Sequence, residues 1–190
     1  MELDRAEQNI VDAYLAMRLD EPEARVNITS LSTRAHISRT TFYQHFDSIA
    51  SIQELIQYAI LHDVRAIFRD FEYIDLDRID RSDATIPMFE RVFEYIAEHR
   101  AAFKLLMVVE SNPAFATSYT SQVRATVCCI LKDTLDETTT NVVASLCLGS
   151  FQNLTFDWLK GAVNFTTEEL AYICTRTLVA IANEWKRLSA

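Results

Sequence analysis

Two glycines and three prolines in 190 residues leave almost no material for tight β-turns or for a glycine-rich phosphate loop. Sandwiches, barrels and dinucleotide-binding sheets depend on such turns, so an all-α protein is expected. Hydrophobic residues make up 49% of the chain and charged residues 24%, enough to bury an ordinary core. The net charge of −9 argues against general coating of nucleic acid or of anionic membrane, while leaving room for a local basic face.

Apolar periodicity and capping residues divide the chain into about nine helices. Ile10, Ala13, Tyr14 and Met17 share one face of a helix from Leu3 to about Leu19, which ends before the Asp20-Glu21-Pro22 turn. Asn27 can cap a short helix over Ile28–Arg34, and Ser38 another from Arg39 to about Phe46. Only Ala35-His36-Ile37 separates the second helix from the cap of the third, and so short a link forces the sharp crossing of a helix-turn-helix. A longer helix is expected over Ile49–Phe71, then a linker from Tyr73 to Ile86 whose aspartates read as a solvated acidic loop. Further helices are expected over Pro87–Glu98, Ala101–Glu110, Pro113–Leu135, Asn141–Lys160 and Thr167–Leu188, the last opened by a Thr166–Glu169 capping box. This gives an N-terminal three-helix module, 1–48, and a C-terminal helical domain, 49–190.

Catalytic patterns do not emerge. The chain has no nucleophile elbow, zinc-protease helix, Walker loop or dinucleotide fingerprint, and its four histidines are scattered. Cys128, Cys129, Cys147 and Cys174 lack metal-ligand spacing and read as buried thiols, with Cys128-Cys129 a conceivable redox pair. No enzyme activity, cofactor or metal site is expected. A basic, apolar leader is missing from the start, and no apolar run reaches the ~18 residues of a membrane span, so the expectation is a cytoplasmic protein without membrane contact.

The distribution of charge is more informative. The chain holds 27 acidic residues, yet Ala24–Phe46 contains none while carrying Arg25, Arg34, Arg39, His36 and His45. The same window supplies Asn27, Thr29, Ser30, Ser32, Thr33, Ser38, Thr40, Thr41, Tyr43 and Gln44, side chains of the kind that contact phosphates and base edges. An acidic chain that clears one window of carboxylates avoids repelling something negative there, which points to DNA.

The stretches Ile10-Val-Asp-Ala13 and Asn27-Ile-Thr-Ser-Leu-Ser-Thr-Arg-Ala-His-Ile-Ser-Arg-Thr-Thr-Phe-Tyr-Gln-His-Phe46 resemble the N-terminal pattern of TetR-type transcriptional regulators. The specific part is Ser38 followed by Thr41-Phe-Tyr43-x-His45-Phe46, and the close resemblance covers about residues 5–58. It implies that Arg39, Thr40, Thr41 and Gln44 face base edges, while Tyr43 and His45 touch the phosphate backbone. Asn27 and Thr29 would do the same from the preceding helix, with Arg25 and the helix N-termini sharing the phosphate work. Phe42 and Phe46 are expected in the core. Two positions depart from the pattern: His36 replaces the usual turn glycine, and Ile49 stands where a phosphate-binding lysine is usual.

The reading that follows is a homodimeric DNA-binding repressor on a palindromic operator, released by a small-molecule effector. The alternative is an interaction protein of the same fold that has lost operator binding and docks a partner protein. The resemblance places an effector inside the C-terminal domain, with Phe103, Met107, Tyr119, Gln122, Gln152, Asn153 and Phe156 as its expected lining. The charge-free run Thr138–Phe156 and the long apolar face of the last helix suggest a four-helix dimer interface. It would be built from Val143, Leu146, Phe151, Leu154 and Trp158 against Leu170, Ile173, Leu178 and Ile181.

Overall fold

The computed structural model describes residues 3–69, 74–82 and 84–189, and the described residues contain ten α-helices and no strand. The first three, α1 (Arg5–Asp20), α2 (Ile28–Arg34) and α3 (Arg39–His45), pack around Ile10, Tyr14, Leu31, Phe42 and Phe46. Then follow α4 (Ile49–Arg69), α5 (Leu76–Ser82), α6 (Pro87–Glu98) and α7 (Arg100–Phe103), which runs into a π-helical segment, Lys104–Val109. The chain closes with α8 (Pro113–Leu131), α9 (Glu137–Lys160) and α10 (Thr167–Ser189).

Local chemistry explains most boundaries. Asp4 opens α1 with a capping box: its carboxylate accepts from the Ala6 and Glu7 amides at 2.8 Å, and Glu7 accepts from the Asp4 amide at 3.0 Å. Asp136 starts α9 four residues before the expected Asn141, accepting from the Thr138 and Thr139 amides. Gly161 ends that helix in the left-handed conformation, φ 79°. The Thr166–Glu169 capping box forms as expected, with bonds of 2.7 and 3.2 Å.

The expected linker between Tyr73 and Ile86 is corrected by α5. Its acidic side chains face α10 rather than only water: Asp77 lies 3.3 Å from Lys186 Nζ, Asp80 accepts from Asn183 at 3.0 Å, and Arg176 donates to the Ile79 carbonyl. A helix of seven residues with one buried side chain, Leu76, has too short a stripe to show in the sequence pattern. Phe71, the expected end of the long helix, Tyr73, the expected start of the acidic loop, and Asp83 within it lie outside the described residues.

The helix expected over Ala101–Glu110 is also different. It divides into α7 and the π-helical segment, closed by a bond from the Glu110 amide to the Leu105 carbonyl at 2.8 Å and followed by Ser111 at φ 47°. This segment packs against α1, α8 and α9, where the first three helices meet the rest of the chain.

Candidate nucleic-acid interface

The turn between α2 and α3 is a Schellman motif: the Ile37 amide bonds to the Ser32 carbonyl at 3.0 Å and the His36 amide to Thr33 at 3.2 Å. The geometry requires a left-handed residue at position 36, and His36 adopts it at φ 56°. Asn27 Oδ1 caps α2 through the Ser30 amide, and Ser38 Oγ caps α3 through the Thr41 amide, each at 2.9 Å. Phe42, fully buried, and Phe46 fix the inner face of α3, with the two rings 6.0 Å apart.

Opposite that inner face, Arg39, Thr40, Tyr43 and Gln44 are exposed, joined by Arg25, Asn27, Thr29 and Ser38. Tyr43 is 51% exposed although it is the largest side chain on this face. Two expected contact residues are placed differently. Thr41 is half-buried, its hydroxyl 2.8 Å from Ser38 Oγ inside the cap. His45 turns Nδ1 toward Asp4 Oδ2 at 3.4 Å and Glu7 Oε1 at 3.8 Å, tying the end of α3 to the start of α1. The three ligand-type atoms lie within 4.8 Å of one another, and the position of the imidazole between the two capping carboxylates is accounted for by these contacts.

A residue without any sequence signal holds the module in place. Glu110 Oε1 accepts from Gln53 Nε2 on α4 at 3.1 Å, from Arg18 Nε at 3.3 Å and from the Tyr14 hydroxyl at 3.4 Å, both on α1. Burial, followed by the neighbouring Glu110 carboxylate, pushes the Tyr14 phenol up to about 12. One carboxylate thus joins α1, α4 and the end of the π-helical segment.

The residues expected to line an effector cavity do not converge. Phe103 is fully buried against the Phe115 and Tyr119 rings, and Met107 is half-buried in the π-helical segment. Tyr119 borders an interior cavity of about 30 Å³ among Phe68, Met88, Phe93, Phe151 and Cys174, room for about one water. Gln152 donates to Thr120, Asn153 is exposed, and Phe156 lies under Lys160 Nζ at 4.7 Å from its ring centre. Gln122 instead faces a separate groove between α4 and α8.

The expected dimer residues are also divided. Val143, Phe151, Trp158, Leu170 and Leu178 lie in this chain's own core. Trp158 is fixed there, donating from Nε1 to the Phe165 carbonyl at 3.0 Å with the Arg100 guanidinium 4.5 Å above its ring. Leu154, Ile173 and Ile181 are half-buried, and Leu146 is 52% exposed. The apolar residues left outside on this side are Val142, Leu146, Phe165 and Tyr172. Apolar spacing shows that a helix has a buried stripe without showing whether its own core or a second chain covers it. No described helix is long and apolar enough to cross a membrane.

Comparison with known proteins accords with this architecture. Residues 83–179, just over half of the chain, match the TetR family model described as the transcriptional regulator C-terminal region. Curated proteins give no match. Among solved structures, the chain is similar to a TetR-like transcriptional regulator from Rhodococcus sp. RHA1, at TM-score 0.68 and 15% identity over 100% of both chains. It is also similar to the fatty acid degradation regulator FadR from Bacillus halodurans, at TM-score 0.68 and 11% identity, covering 94% of this chain and 97% of that one. A third, a transcriptional regulator from Aquifex aeolicus VF5, gives TM-score 0.67 and 14% identity over 93% and 99%. At these identities the structures speak for the fold, and the family assignment rests on the matched C-terminal region: the chain belongs to the TetR family of transcriptional regulators.

Proposed function

We propose that the chain acts as a homodimeric repressor that reads a palindromic operator with α3. The observation that carries this reading is the carboxylate-free window Ala24–Phe46, which folds into one exposed polar and basic face while its aromatic residues Phe42 and Phe46 turn inward. Arg39, Thr40 and Gln44 are suited to base edges in the major groove, and Tyr43, Arg25, Asn27 and Thr29 to the backbone. With Ile49 in place of a lysine and His45 held by Asp4 and Glu7, phosphate binding falls on this smaller set.

The same reading requires dimerisation, because two half-sites need two copies of α3. We assign the interface to the outer side of α9 and α10, where Val142 is 43%, Leu146 52% and Tyr172 41% exposed. Light scattering at micromolar concentration should give twice 21.8 kDa.

Selection of bound fragments from genomic DNA tests the reading directly, and a sequence-selective complex whose affinity falls steeply with salt is expected. Arg39→Ala should weaken the selected site by about 1–3 kcal/mol while sparing unrelated DNA, the signature of a base contact. Failure to select any sequence at low salt would refute operator binding.

A further inference from the structure

Arg18, near the end of α1, divides its guanidinium between two regions of the molecule. Its Nε donates to Glu110 Oε1 at 3.3 Å, at the end of the π-helical segment. Its Nη1 donates to the Pro22 carbonyl at 2.6 Å and to the Ala24 carbonyl at 3.3 Å, in the turn that joins α1 to α2. These bonds differ from the usual basic cap on a helix end, because α1 stops at Asp20 and closes through the Glu21 amide on the Met17 carbonyl at 3.1 Å. They hold instead the backbone immediately before Arg25. Arg18 and Glu110 are half-buried, whereas Arg25 is exposed, two residues before Asn27, the cap of α2.

The residues of this turn give the clamp a purpose. Asp20, Glu21 and Glu23 stand just ahead of Arg25. Asp20 is engaged by Arg34 at 3.0 Å, while Glu21 and Glu23 are exposed within a few residues of the Arg25 guanidinium. In a loose turn those carboxylates compete with a phosphate for the same charge. We propose that Arg18 is a positioning residue for operator binding. Its fork braces the turn against Glu110, so that Arg25 is presented to a DNA phosphate and kept from its own acidic neighbours. Arg18 itself stays off the DNA. Holding Glu110 and the turn together uses two separated donors of one planar group, which the single ammonium of a lysine lacks. This role rests on the operator-binding reading and deepens it, since it ties a phosphate contact to the junction between the first three helices and the rest of the chain.

The test combines Arg18→Lys, which keeps the charge and loses the fork, with Arg25→Ala in the full chain. On the selected operator, the slope of log affinity against log salt should fall by about one per half-site in Arg25→Ala, the loss of one phosphate contact. Arg18→Lys should reproduce that loss with the net charge unchanged, and the double variant should lose no more than either single one. A wild-type slope in either single variant would overturn the role. So would losses that add in the double variant, because Arg18 would then make a contact of its own. Hydrogen exchange on the DNA-free chain tests the clamp separately. The Ala24 amide, bonded to the Glu21 carbonyl at 3.1 Å, should exchange about threefold or more faster in Arg18→Lys, with the amides of α9 unchanged as the check on folding. An unchanged Ala24 amide would overturn the clamp. If the wild-type chain selects no DNA, the operator reading falls and takes the DNA role of Arg18 with it. If it selects DNA while Arg18→Lys keeps the wild-type slope, only the role of Arg18 falls.

Discussion

In the first three helices each helix start is held by the residue that precedes it: Asp4 for α1, Asn27 for α2 and Ser38 for α3. Between Ile86 and Val109 the arrangement is different. Helix α6 opens at Ile86 without a side-chain cap, and the Ile86 amide is instead satisfied by Thr175 Oγ1 on α10 at 2.9 Å, 89 residues away. Helix α7 has no side-chain cap at His99 and passes into the π-helical segment. The module's elements are therefore specified by near neighbours, while the segment that docks it is specified by distant ones. A locally specified unit can keep its shape when it moves, and a segment held by remote contacts can change shape when those contacts change.

This contrast can be broken most severely inside the module. Phe42→Ala removes a fully buried ring on which α3 is seated, and chemical denaturation should show a loss of about 3–5 kcal/mol, with operator binding lost in parallel. The docking segment gives the next largest effect. Glu110→Ala leaves Tyr14, Arg18 and Gln53 without their shared acceptor, and a loss of about 2–3 kcal/mol is expected. Hydrogen exchange should then show α1 opening independently of α8 and α9; unchanged coupling between them would mean that Glu110 does not join the two regions.

Smaller changes sharpen the comparison. His36→Gly places glycine at the left-handed position of the Schellman turn, so melting should rise by an amount equivalent to about 0.5–1 kcal/mol if local strain there is real. At pH 7 no contribution comes from the Tyr14 phenol, but its alkaline behaviour reports on the junction. Because the folded chain holds this proton up to about 12 and the unfolded chain releases it near 10, stability should be full below pH 10 and fall as pH rises toward 12. Urea midpoints measured between pH 9 and 11.5 should fall less steeply in Tyr14→Phe. An identical slope would place the alkaline loss on the other raised phenols, Tyr95 and Tyr119, which burial pushes up as well.

The same division governs what could be read beforehand. The ranges Ile28–Arg34 and the start of α3 at Arg39 were legible because Asn27 and Ser38 announce them. The resemblance marked position 36 as a turn where glycine is usual, and of the two outcomes open there, a left-handed histidine or a different turn, the structure shows the first. The end of α8 at Leu131, short of the expected Leu135, carries no comparable signal, and neither does the extra residue per turn of the π-helical segment. The capping box of Asp4 and Glu7 starts α1 two residues after the expected Leu3, and the same two carboxylates receive His45, a pairing that no spacing along the chain revealed.

The sequence by itself determined an all-α chain, a helix-turn-helix and a face free of carboxylates, because turn scarcity, capping and charge are properties of residues close together in the chain. Only the tertiary structure decided that Val143 and Phe151 serve the protomer's own core while Val142 and Leu146 remain outside. It also brought Glu110 to Tyr14 and Gln53. The physical reason is that such pairings depend on how whole helices are laid against one another, and periodicity along one helix records that a stripe is buried, not what buries it.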